Sequence, residues 1–147
     1  MKKIFIYYSL TGNGDLIADY LKDNFEIRKV IPKKNLPKNF ALSMLVGGFK
    51  ALTKYKEKLI DFNNDISNYD EIIIGSPIWC DRLSSPINTV LNELDLSNKK
   101  VSFILYSGSG VANKASKVIK DKYNANIIIL KEPIKYKEEL DKLKGIN

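Results

Sequence analysis

Ser9, Leu10, Thr11, Gly12, Asn13 and Gly14 place two hydroxyls, an amide and two glycines within six consecutive residues. Hydroxyl and amide side chains donate hydrogen bonds without carrying charge, and glycine lets the backbone turn its own N–H groups inward. Such a cluster could hold an anion, and a phosphate is the usual occupant when a helix begins there. No lysine stands in the run. Neutral donors and a helix dipole suit a tightly held, chemically inert monoester better than a phosphate being transferred. Three other phosphate loops fail against the residues present. A Walker loop needs Gly, four residues and Gly-Lys-Ser/Thr, which does not occur. A dinucleotide fingerprint needs a third glycine where Ile17 stands. A Cys-x5-Arg phosphatase loop needs a thiolate, and the run has none. The plain alternative is an ordinary strand-to-helix turn capped by Thr11 or Asn13.

The run lies between two segments of different period. Lys3 to Ile6 is short, apolar and rich in β-branched and aromatic residues, as in a buried strand. Leu16, Ile17, Tyr20 and Leu21 fall at helical spacing. A strand therefore enters a helix through the donor-rich turn. The same alternation continues along the chain. Strands are predicted over 3–9, 25–31, 71–75, 101–106 and 126–130. Helices are predicted over 14–24, 40–55, 85–94, 111–123 and 135–144. Ser85-Pro86 supplies a cap and then a proline at the first helical position. In the 40–55 helix, Leu42, Leu45, Val46, Phe49 and Leu52 share one face. Residues 76–85 read as a loop. Strands alternating with helices over 147 residues imply one α/β domain with a doubly wound five-stranded parallel sheet, order 2-1-3-4-5.

In such a sheet a ligand lies beyond the carboxyl ends of the strands, at the switch between the first and third. Three segments meet there: Ser9–Gly14, Ser76–Ser85 and Ser107–Gly110. The middle one, Ser76-Pro77-Ile78-Trp79-Cys80-Asp81, carries the only tryptophan. Trp79 offers a flat surface for stacking a planar ring, with core packing as its plain alternative. Ser107, Gly108, Ser109 and Gly110 are small enough for backbone to approach a ligand edge.

Composition narrows the chemistry further. The chain has no histidine, which removes histidine-based acid–base catalysis, a Ser-His-Asp triad and histidine-ligated metal. The single cysteine, Cys80, leaves no disulfide within one chain and fits a reducing compartment. Cys80 has no local base to make it a catalytic thiolate and reads as a small loop residue. The net charge is +7. Its lysines are spread over several segments without interleaved aromatics, so solvated helix faces are expected rather than nucleic-acid binding. No segment approaches membrane-spanning length. A cytoplasmic protein without membrane or nucleic-acid partners, as a monomer or weak dimer, is the expectation.

The three segments together resemble the flavodoxin family. Ser9-Leu10-Thr11-Gly12-Asn13 is similar to its FMN phosphate loop. Gly75-Ser76-Pro77-Ile78-Trp79 is similar to its first isoalloxazine loop, and Ser107-Gly108-Ser109-Gly110 lies where its second falls. The order of elements matches its short-chain form over essentially the whole chain. The resemblance implies non-covalently bound FMN, with Ser9 to Gly14, Ser76 to Cys80 and Ser107 to Gly110 as its contacts. It also implies electron transfer at the flavin. Three departures stand out. Gly14 replaces the threonine that usually ends the phosphate loop. Cys80-Asp81 stands where many members have a glycine whose peptide flips toward the reduced flavin. The second flavin loop lacks the tyrosine that often covers the other ring face. Electron-carrier flavodoxins are strongly acidic, whereas this chain is basic, so a redox partner with an acidic surface is expected. Two further readings differ in class: an FMN-dependent oxidoreductase taking hydride from NAD(P)H to reduce a quinone or similar acceptor, and a flavin-free signalling domain on the same fold.

Overall fold

The computed structural model describes residues 1–146. β1 (Lys3–Tyr7), β2 (Glu26–Lys29), β3 (Glu71–Trp79), β5 (Lys100–Ser107) and β6 (Asn126–Lys131) form one parallel sheet in the order β2-β1-β3-β5-β6. Ranked among these five, the order is the expected 2-1-3-4-5. The helices are α1 (Asn13–Leu21), α2 (Phe40–Leu52), α3 (Ser85–Glu93) and α4 (Asn113–Tyr123). Alternate strand residues feed two cores, because successive side chains of a strand point to opposite faces. Ile4, Ile6, Ile72, Ile74, Phe103 and Leu105 belong to one, and Phe5, Tyr7, Ile73, Ile104 and Tyr106 to the other. Both sheet faces are thus covered, as continuous apolar strands require.

The structure corrects the sequence reading in three places. The 76–85 segment is not a loop. β3 continues through Trp79 and folds back as β4 (Arg82–Leu83), with Ile78 opposite Leu83 and Trp79 opposite Arg82. Beyond Gly75, β3 has left β1 and keeps only β5 as a parallel neighbour. Pro77 therefore sits on an edge, where its missing donor is tolerated. Cys80 and Asp81 turn the hairpin with φ of 49° and 56°. A two-residue hairpin turn with both central residues left-handed is favoured by strand twist, at some strain for residues other than glycine.

The second correction concerns the end of α2, which stops at Leu52 and not at residue 55. The face carrying Leu42, Leu45, Phe49 and Leu52 is exposed, and the buried face is Ser43, Gly47, Gly48 and Ala51. A Cβ on Gly47 would lie 3.0 Å from Trp79 Cε3, and one on Gly48 would lie 2.7 Å from Cys80 Sγ. The two glycines let α2 lie directly on the β3–β4 hairpin. The third correction is the closing helix, a 3₁₀ helix over Lys137–Leu143. Its apolar anchors Leu140 and Leu143 are three residues apart and both pack on the second core. Residues three apart eclipse in a 3₁₀ helix, so that spacing fits it.

Candidate functional site

β1 delivers Tyr8 and Ser9 to the carboxyl edge of the sheet, and α1 leaves it two residues after Thr11. Gly12 is the N-cap of α1 with φ 91°, a conformation that favours glycine, and it has no side chain with which to cap the helix. Thr11 and Asn13 accept no helix N–H; the side chain that closes the turn is Ser9. The first-turn N–H groups have no acceptor within the helix. Two donors converge instead on one oxygen. Ser9 Oγ accepts from Gly12 N and from Gly14 N, each at 3.1 Å. Thr11 Oγ1 accepts from Asn13 Nδ2 at 3.1 Å, and Asn13 Oδ1 accepts from Ile134 N at 3.1 Å. The turn is thus a preformed ring of donors with a hydroxyl at its centre.

Asp15 stands in the first turn of the same helix, where its charge would oppose an incoming anion. Tyr7 Oη donates to Asp15 Oδ1 at 2.8 Å, and Lys29 Nζ donates to the same oxygen at 2.7 Å. Burial works to raise the carboxyl, but the bonds from Lys29 and Tyr7 outweigh it and hold the group below its ordinary value. Asp15 is therefore ionised and paired, and its charge is drawn toward Lys29. Burial first, then the hydrogen bond to Asp15, pushes the Tyr7 phenol up. Tyr8 is pushed up to about 12, chiefly by burial and then by the Glu57 charge. Tyr106 is fully buried and raised by that burial, and its hydroxyl donates to the Tyr8 carbonyl. All three phenols are neutral at neutral pH; the Tyr7 and Tyr106 hydroxyls are held by hydrogen bonds, and Tyr106 lines the adjoining cleft.

Beside the turn opens a cleft of about 280 Å³. Leu10, Thr11 and Asn13 line one end, and Pro77, Ile78 and Trp79 line the wall from β3. Ser107 and Gly108 contribute the edge after β5. A Cβ on Gly108 would meet nothing within 4 Å, so this edge is open. Ser107 Oγ donates to the Val111 carbonyl and accepts from Val111 N, each at 3.1 Å, which closes the small loop on itself. Trp79 is 5% exposed. Gly47 covers part of its indole, Tyr8 meets it edge-on at 5.8 Å, and most of the ring packs in the first core, with only a small edge lining the cleft.

The sequence-based site residues fall into two groups. Leu10, Thr11, Asn13, Pro77, Ile78, Trp79, Ser107 and Gly108 lie on the cleft wall. The others stand around it. Ser9, Gly12 and Gly14 form the donor turn beneath its end. Ser76 is buried behind the wall, where its hydroxyl pairs with Ser84 at 3.1 Å. Cys80 is exposed at the hairpin tip. Ser109 and Gly110 lie past the open edge, with Gly110 at φ 74°. The Asp81 carboxylate beside Cys80 accepts from Lys114 N at 3.1 Å and so caps α4 across space.

Two wall segments escaped the sequence reading. Phe40 and Met44 enter from α2, and Glu132, Ile134 and Lys135 from the segment after β6. A Cβ on Gly12 would lie 2.8 Å from Ile134 Cδ1. Ile134 thus rests on the donor turn while its N–H bonds Asn13. The signal that was available is Glu132-Pro133 directly after the last strand, at the same sheet edge as the other loops. The position of α2 carried no such signal.

A sequence model of the family described as flavodoxin matches residues 51–141. No curated protein sequence matches the chain. Among solved structures, a candidate flavoprotein from Bacteroides eggerthii DSM 20697 is 22% identical, with a TM-score of 0.72 over 95% of this chain and 96% of that one. A flavoprotein from Lactobacillus acidophilus NCFM, solved in complex with FMN, is 19% identical, with a TM-score of 0.67 over 93% and 97%. An azoreductase from Bacillus anthracis str. Sterne is 15% identical, with a TM-score of 0.50 over 99% and 94%. At these identities the likeness concerns the fold.

Proposed function

Because the chain belongs to the flavodoxin family, we propose that it binds FMN in this cleft and carries electrons between redox partners. One observation carries the reading: a helix start whose Gly12 and Gly14 N–H groups converge on the single Ser9 hydroxyl oxygen stands beside a cleft lined by Trp79 and a small open loop. FMN needs that combination, a phosphate cradle at one end and a slot for a planar ring at the other. Bound FMN supplies one- and two-electron redox chemistry, and the protein supplies binding, orientation and electrostatics.

The chain's own residues account for each of these tasks. Backbone N–H groups of residues 10–14 would hold the phosphate, with Ser9 and Thr11 hydroxyls as added donors. The Asp15–Lys29 pair keeps the nearby carboxylate from repelling it. Pro77, Ile78 and the exposed part of Trp79 form an apolar wall that excludes water from one side of a ring. The open edge at Gly108 leaves the other side accessible to a partner.

The competing reading is an oxidoreductase that takes hydride from NAD(P)H and passes electrons to a quinone or similar acceptor. The open ring face accommodates it. An absorption spectrum of the purified protein, with the flavin identified after denaturation, tests the cofactor. Anaerobic incubation with NAD(P)H and a quinone as acceptor separates the two activities: a carrier leaves the nucleotide unconsumed, and oxidation of many equivalents per flavin, with the quinone reduced in step, would establish the oxidoreductase. The protein's net charge of +7 favours an acidic redox partner. Electron transfer with such a partner slows as ionic strength rises, because exposed charges are screened over about 8–10 Å at ordinary salt.

A further inference from the structure

The most exposed apolar surface lies on α2. Leu45 is 72%, Phe49 67% and Phe40 66% exposed, and Leu42, Leu52 and Tyr55 are also exposed. Apolar patches beyond a few hundred Å² mark interaction sites on soluble proteins. The patch is built to face outward. Gly47 and Gly48 turn the small face of the helix to Trp79 and Cys80, which leaves the large residues on the opposite side.

The surroundings of the patch are basic. Lys33, Lys34 and Lys38 precede α2, and Lys54, Lys56 and Lys58 follow it; all six are exposed. Among the described residues none of them is in an ion pair. The one acidic residue between 33 and 58 is Glu57, which is buried and bound to Lys50 at 2.7 Å. The two ends of the segment are stapled together. Pro32 bridges Leu59, and Lys33 N donates to the Lys58 carbonyl at 2.7 Å. The excursion from 33 to 58 therefore closes at its base and presents one helix with lysines at both ends.

We propose that α2 is a peripheral docking face for an anionic lipid surface, with Phe40, Leu45 and Phe49 entering the headgroup boundary and the flanking lysines meeting the phosphates. An amphipathic helix with large apolar residues on one side and basic residues beside them binds in this way. Charge selects lipid over a second copy of the chain. Pairing α2 with α2 would bring six uncompensated lysines against another six, a like-charge juxtaposition that disfavours the complex. Among the described residues no helix is long and apolar enough to cross a membrane. The sequence expectation of no membrane partner rests on that criterion, which does not address contact at the surface. Phe40 and Met44 also line the cleft, so docking brings its mouth to the lipid.

The test is co-sedimentation of the purified protein with vesicles of phosphatidylcholine alone and of phosphatidylcholine mixed equally with phosphatidylglycerol. Binding is expected with the mixed vesicles only, weakening as salt rises. The Leu45→Glu/Phe49→Glu variant alters two exposed side chains and should keep its melting temperature. Its binding to mixed vesicles should fall by about tenfold or more. Failure of the unaltered protein to bind, or equal binding by the double variant, overturns the proposal. Sedimentation equilibrium on the same pair supplies another refutation: a dimer lost in the variant, without lipid binding, would assign the face to a second copy.

Discussion

Thr11→Ala and Ser9→Ala separate two roles that the donor turn gives its hydroxyls. Thr11 is exposed, and its oxygen accepts only from the Asn13 amide. Its own proton remains available for an incoming anion. Removing the hydroxyl should change the stability of the flavin-free protein by no more than about 0.5 kcal/mol, as for an ordinary surface substitution. With FMN bound, the lost partner is a charged phosphate, and such a bond contributes roughly 1.5–3 kcal/mol. At ~1.4 kcal/mol per decade, Thr11→Ala should weaken FMN by about one to two decades. Ser9 behaves differently because its oxygen receives both Gly12 N and Gly14 N. Ser9→Ala leaves two half-buried donors without their acceptor, at about 1–3 kcal/mol in the flavin-free protein. For a chain of this size that lowers the melting temperature by ~3 °C per kcal/mol. Fluorescence titration with FMN and thermal melts of the flavin-free protein read the two quantities separately. Thr11→Ala with unchanged FMN affinity would refute the assignment of the phosphate to this turn. So would a Thr11→Ala melt as depressed as that of Ser9→Ala, because Thr11 would then be structural.

Trp79 fluorescence should be quenched by bound FMN and recover on its removal; unchanged emission would leave Trp79 as core alone. Trp79→Ala should also cost about 3–5 kcal/mol, since the indole is buried under Gly47. Gly48→Ala places a methyl 2.7 Å from Cys80 Sγ, so displacement of that exposed thiol opposes a helix-propensity gain of about 1 kcal/mol and the net change should be small. Cys80→Ala removes that sulfur, so denaturant unfolding of the single and double variants should reveal a favourable coupling between the two changes; additivity would mean that α2 moves away instead. Asp15 has a carboxyl held below its ordinary value. Its contribution to stability is present above the unfolded-state value near 3.9 and is lost as pH falls through the lower folded-state value. Melts of Asp15→Asn should therefore differ from the unaltered protein at neutral pH and converge with it in acid; a constant difference would remove the charge from the account.

The architecture was legible because it rests on long periodic signals. Ile4, Ile6, Ile72, Ile74, Phe103 and Leu105 sit in unbroken apolar runs that only a doubly covered sheet can bury. Strand order followed from the alternation of strands with helices. The β3–β4 hairpin was not legible, because Ser76-Pro77 reads as a breaker and Cys80-Asp81 is not a usual two-residue turn pair. Its evidence is tertiary: β3 loses β1 as a neighbour after Gly75, which frees an edge for Pro77 and then for β4. The donor turn was legible residue by residue. Its closure by Ile134 was not, since that contact spans from residue 13 to residue 134.

Hydrophobic periodicity located α2 but not its orientation. Helical spacing puts the large apolar residues on one face, and burial is the usual reason for such a stripe. Here the stripe of Leu42, Leu45, Phe49 and Leu52 is outermost, and Gly47 and Gly48, which contribute almost nothing to hydropathy, define the inner face. The decisive quantity is distance of approach. The Gly47 position leaves no room beyond 3.0 Å to the indole for a side chain, so turning the helix over would drive a leucine or phenylalanine into Trp79. Overpacking of that size is destabilising, and the indole is also the wall of the cleft. The same close contact therefore sets the cleft wall and leaves the apolar stripe outside. An exposed stripe is a cost to a soluble protein unless a surface covers it, and the lysines at both ends of α2 mark that surface as anionic.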